Sequence, residues 1–333
     1  MPVILFGAMV LVLKESDVRS VLTMKEGVRL VEEGFRRYAE GRTTLAPRMV
    51  MKLEGEAGNF RIMAAIVPDM GGFGLKTLTG TPGKRSAEDT YFAMLYFDVK
   101  TGGLRAMIPA THITGIRTGA ASGVATRYLA RTNAKILGLF GAGFQGRNQV
   151  AAIREVRDIE RVKIFDVVRA PAETLARQLR DEGVDAIVTE SAEETVRGCD
   201  IVASATTANE PPIRGEWLEP GSHVNAVGAN APAKREVDAE AFLRARVVVD
   251  FREQVLQEAG DLIEAVRSGD FSEDGIHAEL GDIVVGRKKG RETEEQITLF
   301  KSVGVAIEDV AVAAFVYEEA TRRGLGMNVD LQS

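Results

Sequence analysis

One stretch limits the fold of this chain more than any other. Ile136-Leu-Gly-Leu-Phe140 runs directly into Gly141-x-Gly143-x-x-Gly146, and a helical pattern follows. The apolar run reads as a buried parallel strand. The first glycine allows a tight turn, the second lets backbone approach a pyrophosphate, and the third lets strand and helix pack closely. Helix N–H groups and the positive dipole end then face the phosphates. The next strand, Val162 to Phe165, ends in Asp166, 20 residues after Gly146, where a ribose-binding acid belongs. These residues predict a dinucleotide site made by Gly141, Ala142, Gly143, Phe144, Gln145 and Gly146, with Asp166, Val167 and Val168 on the ribose side. A carboxylate at Asp166 repels a 2′-phosphate and favours NAD, while Arg169 nearby leaves NADP open.

The rhythm after Lys135 agrees with that expectation. A helix from about Pro171 to Asp181 precedes strand 186–188, and a short helix near 192–196 precedes strand 201–205. Further strands are expected at 222–228 and 245–250. Such alternation predicts a doubly wound sheet. Ligands in these sheets lie at the C-terminal ends of strands, so Thr206, Thr207, Val227, Gly228 and Asn230 should face the cofactor.

The first third reads differently. Met1 to Leu13 is nearly all apolar, too short to span a bilayer, and preceded by no basic residue; it is expected to be a strand, and Met9 could also begin the chain. A short helix is expected over 14–22. Thr23-x-x-Glu26 forms a capping box for a helix whose Val28, Val31, Phe35 and Tyr38 share a face and which stops near Gly41. Strands are expected at 47–53, 60–66, after the turn at Gly71, at 91–98 and at 104–109, with separations that suit hairpins in a mixed sheet. An Ala/Gly-rich helix over 114–129 then leads to the glycine turn, and a last helix over 302–323 can return to this first region.

Other classes fit poorly. The formal net charge of −6 offers no basic field for nucleic acid. Three scattered histidines and one cysteine, Cys199, do not suggest a metal site or a disulfide. The lone thiol before an apolar strand is expected to be buried, as suits a reducing cytoplasm. No G-x-S-x-G occurs.

Short motifs along nearly the whole chain give a resemblance. They are Tyr38-Ala-Glu-Gly41 with Pro47-Arg48, Arg61-Ile-Met63, Gly74-Leu-Lys76, Ile116-Arg117-Thr118-Gly-Ala-Ala121 and Leu129-Ala-Arg131. The glycine turn, Pro220-Gly-Ser-His-Val-Asn-Ala-Val-Gly228 and Phe300-Lys-Ser-Val-Gly-Val-Ala-Ile-Glu-Asp309 continue them. The chain resembles the ornithine cyclodeaminase/μ-crystallin family, which includes archaeal alanine dehydrogenases and ketimine reductases. The resemblance implies a homodimer and two domains. A discontinuous α+β substrate-binding and dimerisation domain would span 1–118 and 311–333, and a Rossmann NAD(P)-binding domain 119–310. It implies that Arg48, Lys76 and Arg117 hold the carboxylate of a small amino or imino acid, with Arg117 also touching the cofactor. Thr90, Thr118, Lys301 and Val303 match family positions near cofactor or substrate.

The implied chemistry is physically sensible. Hydride transfer needs the α-carbon fixed against the nicotinamide, and two or three cationic donors around one carboxylate do that. A desolvated Lys76 can pass protons near neutral pH. The expected activity is therefore NAD(P)-linked: alanine-dehydrogenase-like for an open imine, or ketimine reduction for a cyclic one. Two departures bear on the alternatives. Family cyclodeaminases carry an Asp where this chain has Asn230, and an amide cannot accept a proton as a carboxylate does. This demotes ornithine cyclodeamination. The segment Thr79-Gly-Thr81-Pro82-Gly-Lys84 departs from the family's Asn/His-Pro pattern, leaving side-chain specificity open. A non-catalytic, nucleotide-binding crystallin-type protein is the third reading, and the retained Arg/Lys/Arg set argues against it. No nucleic-acid or membrane partner is expected.

Overall fold

The computed structural model describes residues 9–52, 59–80 and 90–331. Within them the chain forms two compact units, one from residues up to Arg117 together with those from Val305 onward, the other Thr118–Gly304.

The first unit begins with β1 (Met9–Val12), α1 (Glu15–Val21) and α2 (Met24–Ala39). Thr23 caps α2 by accepting a hydrogen bond from the Glu26 N–H at 3.2 Å. Val28, Val31 and Phe35 are buried along one face of α2, and the helix ends before Gly41, whose φ is +71°. Six strands follow: β2 (Thr44–Leu45), β3 (Met49–Lys52), β4 (Asn59–Val67), β5 (Gly72–Gly80), β6 (Thr90–Asp98) and β7 (Leu104–Pro109). Then α3 (Thr111–Leu129) carries the chain into the second unit. Residues 1–8 of the expected N-terminal strand, Leu53 of the strand expected at 47–53, and Thr81, Pro82 and Lys84 lie outside the described residues.

The second unit is strand and helix by turns: β8 (Ile136–Phe140), α4 (Phe144–Arg154), β9 (Arg161–Phe165), α5 (Arg169–Asp181), β10 (Asp185–Val188), α6 (Ala192–Val196) and β11 (Ile201–Ser204). After them come β12 (His223–Ala226), α7 (Ala239–Arg244), β13 (Arg246–Val249), α8 (Arg252–Glu258), α9 (Gly260–Ser268), β14 (Ile276–Glu279), α10 (Leu280–Val284) and β15 (Thr298–Lys301). The chain then returns to the first unit as α11 (Ala306–Arg323) and β16 (Met327–Asp330). The last helix thus starts at Ala306, four residues later than the helical pattern suggested, because Ser302 to Gly304 turn around the Asp250 carboxylate.

The first unit's sheet runs β16-β1-β7-β6-β5-β4-β2, with β3 also paired to β4. All its pairings are antiparallel except β1 with β7. Alternation puts Met63, Ala65 and Val67 of β4, Gly74 and Lys76 of β5, and Met94 and Tyr96 of β6 on one buried face. Helix α11 packs across β4 and β5 and against α2.

The second unit's sheet is fully parallel, in the order β10-β9-β8-β11-β12-β15-β13-β14. Both faces are covered. Leu137 and Leu139 of β8 join one apolar cluster with Val150, Ile153 and Leu175, while Phe140 joins another with Val202, Phe242 and Leu299. The order reverses between β8 and β11, since β9 and β10 extend one way and β11 and β12 the other. Such a switch point opens a crevice at the strands' C-terminal ends. Cys199 is buried beside β11, and burial pushes its thiol up to about 12.

Candidate active site

Two constellations, one in each unit, carry the chemistry-bearing residues. In the first unit Lys76 sits mid-strand in β5 with its side chain fully buried. Its Nζ donates to Asp309 Oδ1 at 2.6 Å. Arg117, 7% exposed on α3, pairs with Glu308 Oε2 through Nη1 at 2.8 Å and with Asp309 Oδ1 through Nε at 3.1 Å. Glu308 and Asp309 lie in the first turn of α11, where the helix dipole favours negative charge. Arg48 precedes β3 and is half-buried, near enough that its charge acts on Lys76. The structure therefore brings Arg48, Lys76 and Arg117 into one cluster.

Burial is the largest influence on Lys76, and the charge of Arg117 adds to it. Together with Arg48 they outweigh Asp309 and bring the Lys76 ammonium down to about 8. Among the described residues, Arg48, Lys76 and Arg117 gather about the carboxylates of Glu308 and Asp309. The cluster offers cationic donors for a carboxylate and a proton exchanged close to neutral pH. The Asp309 Oδ2 atom is buried with no hydrogen-bond partner among the described residues. Thr90, the first residue of β6, is partly buried and opposite Gly80 on β5.

In the second unit the glycine turn has the form its spacing demands. Gly141 has φ +85°, and a Cβ there would lie 2.9 Å from the Ala205 carbonyl. A Cβ on Gly146 would lie 1.8 Å from the Gly141 carbonyl, so only glycine lets α4 start so close to β8. A Cβ on Gly143 would meet nothing within 4 Å. The open side of the turn is thus at Gly143, where a pyrophosphate would approach. Gly143 caps α4 without any side-chain hydrogen bond, leaving its first N–H groups for an anion. Ala142 and Gly146 are buried, Phe144 and Gln145 half-buried, and Gln145 Oε1 lacks a hydrogen-bond partner among the described residues.

Asp166 follows β9 and fastens this turn. Its Oδ2 accepts from the Ala142 N–H and its Oδ1 from the Val168 N–H, each at 2.8 Å. A carboxylate has about four acceptor positions, so two remain for ribose hydroxyls. Val167 and Val168 are exposed beside it. Arg169 is engaged by Glu173 and Glu190 at 2.8 Å each, which opposes its recruitment to a 2′-phosphate. These features fit NAD.

The other predicted positions divide. Thr206 and Thr207 follow β11 and Val227, Gly228 and Asn230 follow β12, both at C-terminal strand ends. Asn230 is half-buried. The Thr118 hydroxyl is buried with no hydrogen-bond partner among them. Lys301 is different: its ammonium is fully buried, bound to Asp261 at 3.0 Å and 4.0 Å from Glu236. Val303 packs in the apolar core and its N–H donates to Asp250.

Sequence reasoning missed the carboxylate partners Glu308 and Asp309, and Glu236 and Asp261. A signal existed for the first pair: two adjacent acids open an otherwise Ala/Val-rich helix.

Comparison with known proteins shows the family. The family model described as ornithine cyclodeaminase/mu-crystallin family matches residues 9–324. The alanine dehydrogenase of Archaeoglobus fulgidus is 39% identical over 321 residues, covering 96% of this chain and 98% of that one. The structure of Thermococcus litoralis Δ1-pyrroline-2-carboxylate reductase in complex with NADH and L-proline superposes with a TM-score of 0.92. It shares 40% identity over 96% of this chain and all of its own. An archaeal alanine dehydrogenase dimer with bound NAD gives 0.91 at 37% identity, covering 97% and 99%. On these grounds the chain belongs to the ornithine cyclodeaminase/mu-crystallin family.

Proposed function

We propose that this protein is an NAD(P)-dependent oxidoreductase that interconverts a small amino acid and its 2-imino acid. The observation that carries the reading is Lys76, a fully buried lysine brought to about 8 among Arg117, Arg48 and Asp309. A cluster like this holds a carboxylate and exchanges one proton near neutral pH. Arg117, clamped by Glu308 and Asp309, presents a fixed guanidinium fork to the acid, and Arg48 adds a further cation whose charge reaches Lys76. Lys76 donates the proton that the nitrogen gains on reduction and accepts it on oxidation. The nicotinamide, when bound, supplies or takes up the hydride at the α-carbon. Gly143 and the α4 N-terminus receive the pyrophosphate and Asp166 the ribose.

The same transfer serves an open imine formed from a keto acid and ammonia, as in an alanine dehydrogenase, and a cyclic imine such as a pyrroline carboxylate. Asn230 in place of a carboxylate disfavours cyclodeamination of ornithine. An NADH-oxidation screen separates the readings. Pyruvate plus ammonia, pyrroline-2-carboxylate and piperideine-2-carboxylate are each tested, with ornithine plus catalytic NAD alongside. Stoichiometric NADH loss with one of the first three supports the proposal. Proline formed from ornithine without net NADH change makes the enzyme a cyclodeaminase, and NADH binding without any turnover makes it a non-catalytic binder.

The working unit is a homodimer in this reading. The face of the first unit's sheet opposite Lys76 carries cross-strand rows Ile66–Phe73–Phe97 and Ala64–Leu75–Leu95–Met107. Phe73 and Phe97 stack at 5.0 Å, and Met107 is 43% exposed. An apolar surface of this extent on a sheet suits a second copy. Light scattering tests it: wild type should run as a dimer and Leu95→Lys as a monomer.

A further inference from the structure

Glu236 is fully buried between β12 and α7, outside the motif that the glycine turn supplies. Its carboxylate is surrounded by donors from the end of β11 and from the loops after β11 and β12. Oε1 accepts from the Ser204 hydroxyl at 2.5 Å, the Thr206 N–H at 2.7 Å and the Thr206 hydroxyl at 3.2 Å. Oε2 accepts from the Gly228 N–H at 2.5 Å and the Ala229 N–H at 3.1 Å. Ser204 ends β11 and Thr206 follows it, while Gly228 and Ala229 follow β12, its parallel neighbour.

A second layer holds the holder. The Glu236 N–H donates to Asp261 Oδ2 at 3.2 Å, and Lys301 Nζ donates to the same oxygen at 3.0 Å. The Leu262 N–H donates to Asp261 Oδ1 at 3.0 Å. One lysine with two carboxylates, all buried, is costly to assemble unless the hydrogen bonds around it are complete. Here every Glu236 oxygen has at least two donors, so the carboxylate is satisfied although burial pushes its pKa up.

We propose that Glu236 is the positioning residue of the cofactor site: one carboxylate sets the spacing of the loops after β11 and β12, with Lys301 and Asp261 fixing the carboxylate. The inference rests on the reading that these loops bind the dinucleotide. It also gives Lys301 its work, which is exerted through Glu236 rather than by touching a ligand. A glutamine at 236 is isosteric but turns a two-oxygen acceptor into one acceptor and one donor. Either the Thr206 or the Gly228–Ala229 loop then faces an N–H with its own N–H and moves away.

The test is Glu236→Gln, read by the NADH dissociation constant from fluorescence titration, by KM for NADH and for the imino acid, and by thermal unfolding. The expected result is a rise of about tenfold in both NADH constants, the cost of removing hydrogen bonds to a charged group. KM for the imino acid should stay within about twofold. A role confined to folding lowers the unfolding temperature but leaves NADH affinity of the folded protein unchanged, and that result overturns the inference. Ser204→Ala removes one donor and introduces no new group. It should weaken NADH binding severalfold in the same direction, and it decides the matter if Glu236→Gln does not fold. Wild-type protein that fails to bind NADH overturns the dinucleotide reading itself. Wild-type binding with unchanged binding in both variants overturns only the role given to Glu236.

Discussion

Asp309→Asn changes one charge beside the proposed proton carrier. The Asp309 carboxylate lies 2.6 Å from Lys76 Nζ, and both side chains are shielded from solvent. At an effective dielectric of about 20, two unit charges that close attract by about 6 kcal/mol. The asparagine carbonyl returns part of this, and removal of a neighbouring opposite charge typically moves a pKa by about 1–3 units. Lys76 starts at about 8, so it is protonated in most molecules at pH 7. A fall of about two units leaves roughly one molecule in ten protonated at pH 7. Reduction of the imino acid needs the protonated form. The pH profile of kcat/KM for the wild type should therefore be flat below about 8 and fall above it. Oxidation of the amino acid needs the neutral form and should rise through the same pH. In Asp309→Asn the reductive limb should move down by about two units, with activity lost about tenfold at pH 7 and recovered near pH 5. A reductive limb that stays where the wild type has it would show that Lys76 is not the group that titrates.

Other perturbations separate geometry from charge. Gly143→Ala should leave thermal stability nearly unchanged, because its Cβ meets no protein atom, yet weaken NADH about tenfold or more in a fluorescence titration. Gly146→Ala should instead destabilise the fold, since its Cβ would collide with the Gly141 carbonyl, and denaturant unfolding would detect this. Asp166→Ala should narrow the preference for NADH over NADPH, measured as the ratio of kcat/KM values; an unchanged ratio refutes the ribose assignment. Arg117→Lys keeps the charge but loses the fork held between Glu308 and Asp309, so KM for the imino acid in steady-state assays should rise about tenfold or more.

Much of this molecule was legible because its local signals agree with its tertiary structure. The β8 run, the glycine spacing and Asp166 lie where the pattern put them, as does the capped helix α2. Strand β15 was not recognised. It is central in the parallel sheet, but only Leu299 and Phe300 are apolar, and the flanking Thr298 and Lys301 are polar residues buried by partners distant in sequence. Hydrophobic pattern cannot reveal a strand of that kind. Strand β16 pairs with β1, more than 300 residues away in sequence, so its place depends on the returning chain. In the candidate site, the pattern named Asp166 and the resemblance named the cations, while the acids that pair with those cations were missed. Asp309 meets Lys76 across 233 positions, and Glu236 reaches Ser204 across 32. Such pairings are created by the fold rather than by spacing.

In the proposed reaction, hydride passes to a carbon whose carboxylate and proton are managed by the Lys76 cluster. A direct test follows deuterium from NADH carrying deuterium at both C4 positions of the nicotinamide during reduction of the imino acid that the screen identifies. Deuterium at the α-carbon of the amino acid product, together with its loss in a Lys76→Met variant that still binds NADH, is the predicted result. Label that never reaches the α-carbon, or full turnover by Lys76→Met, would contradict it.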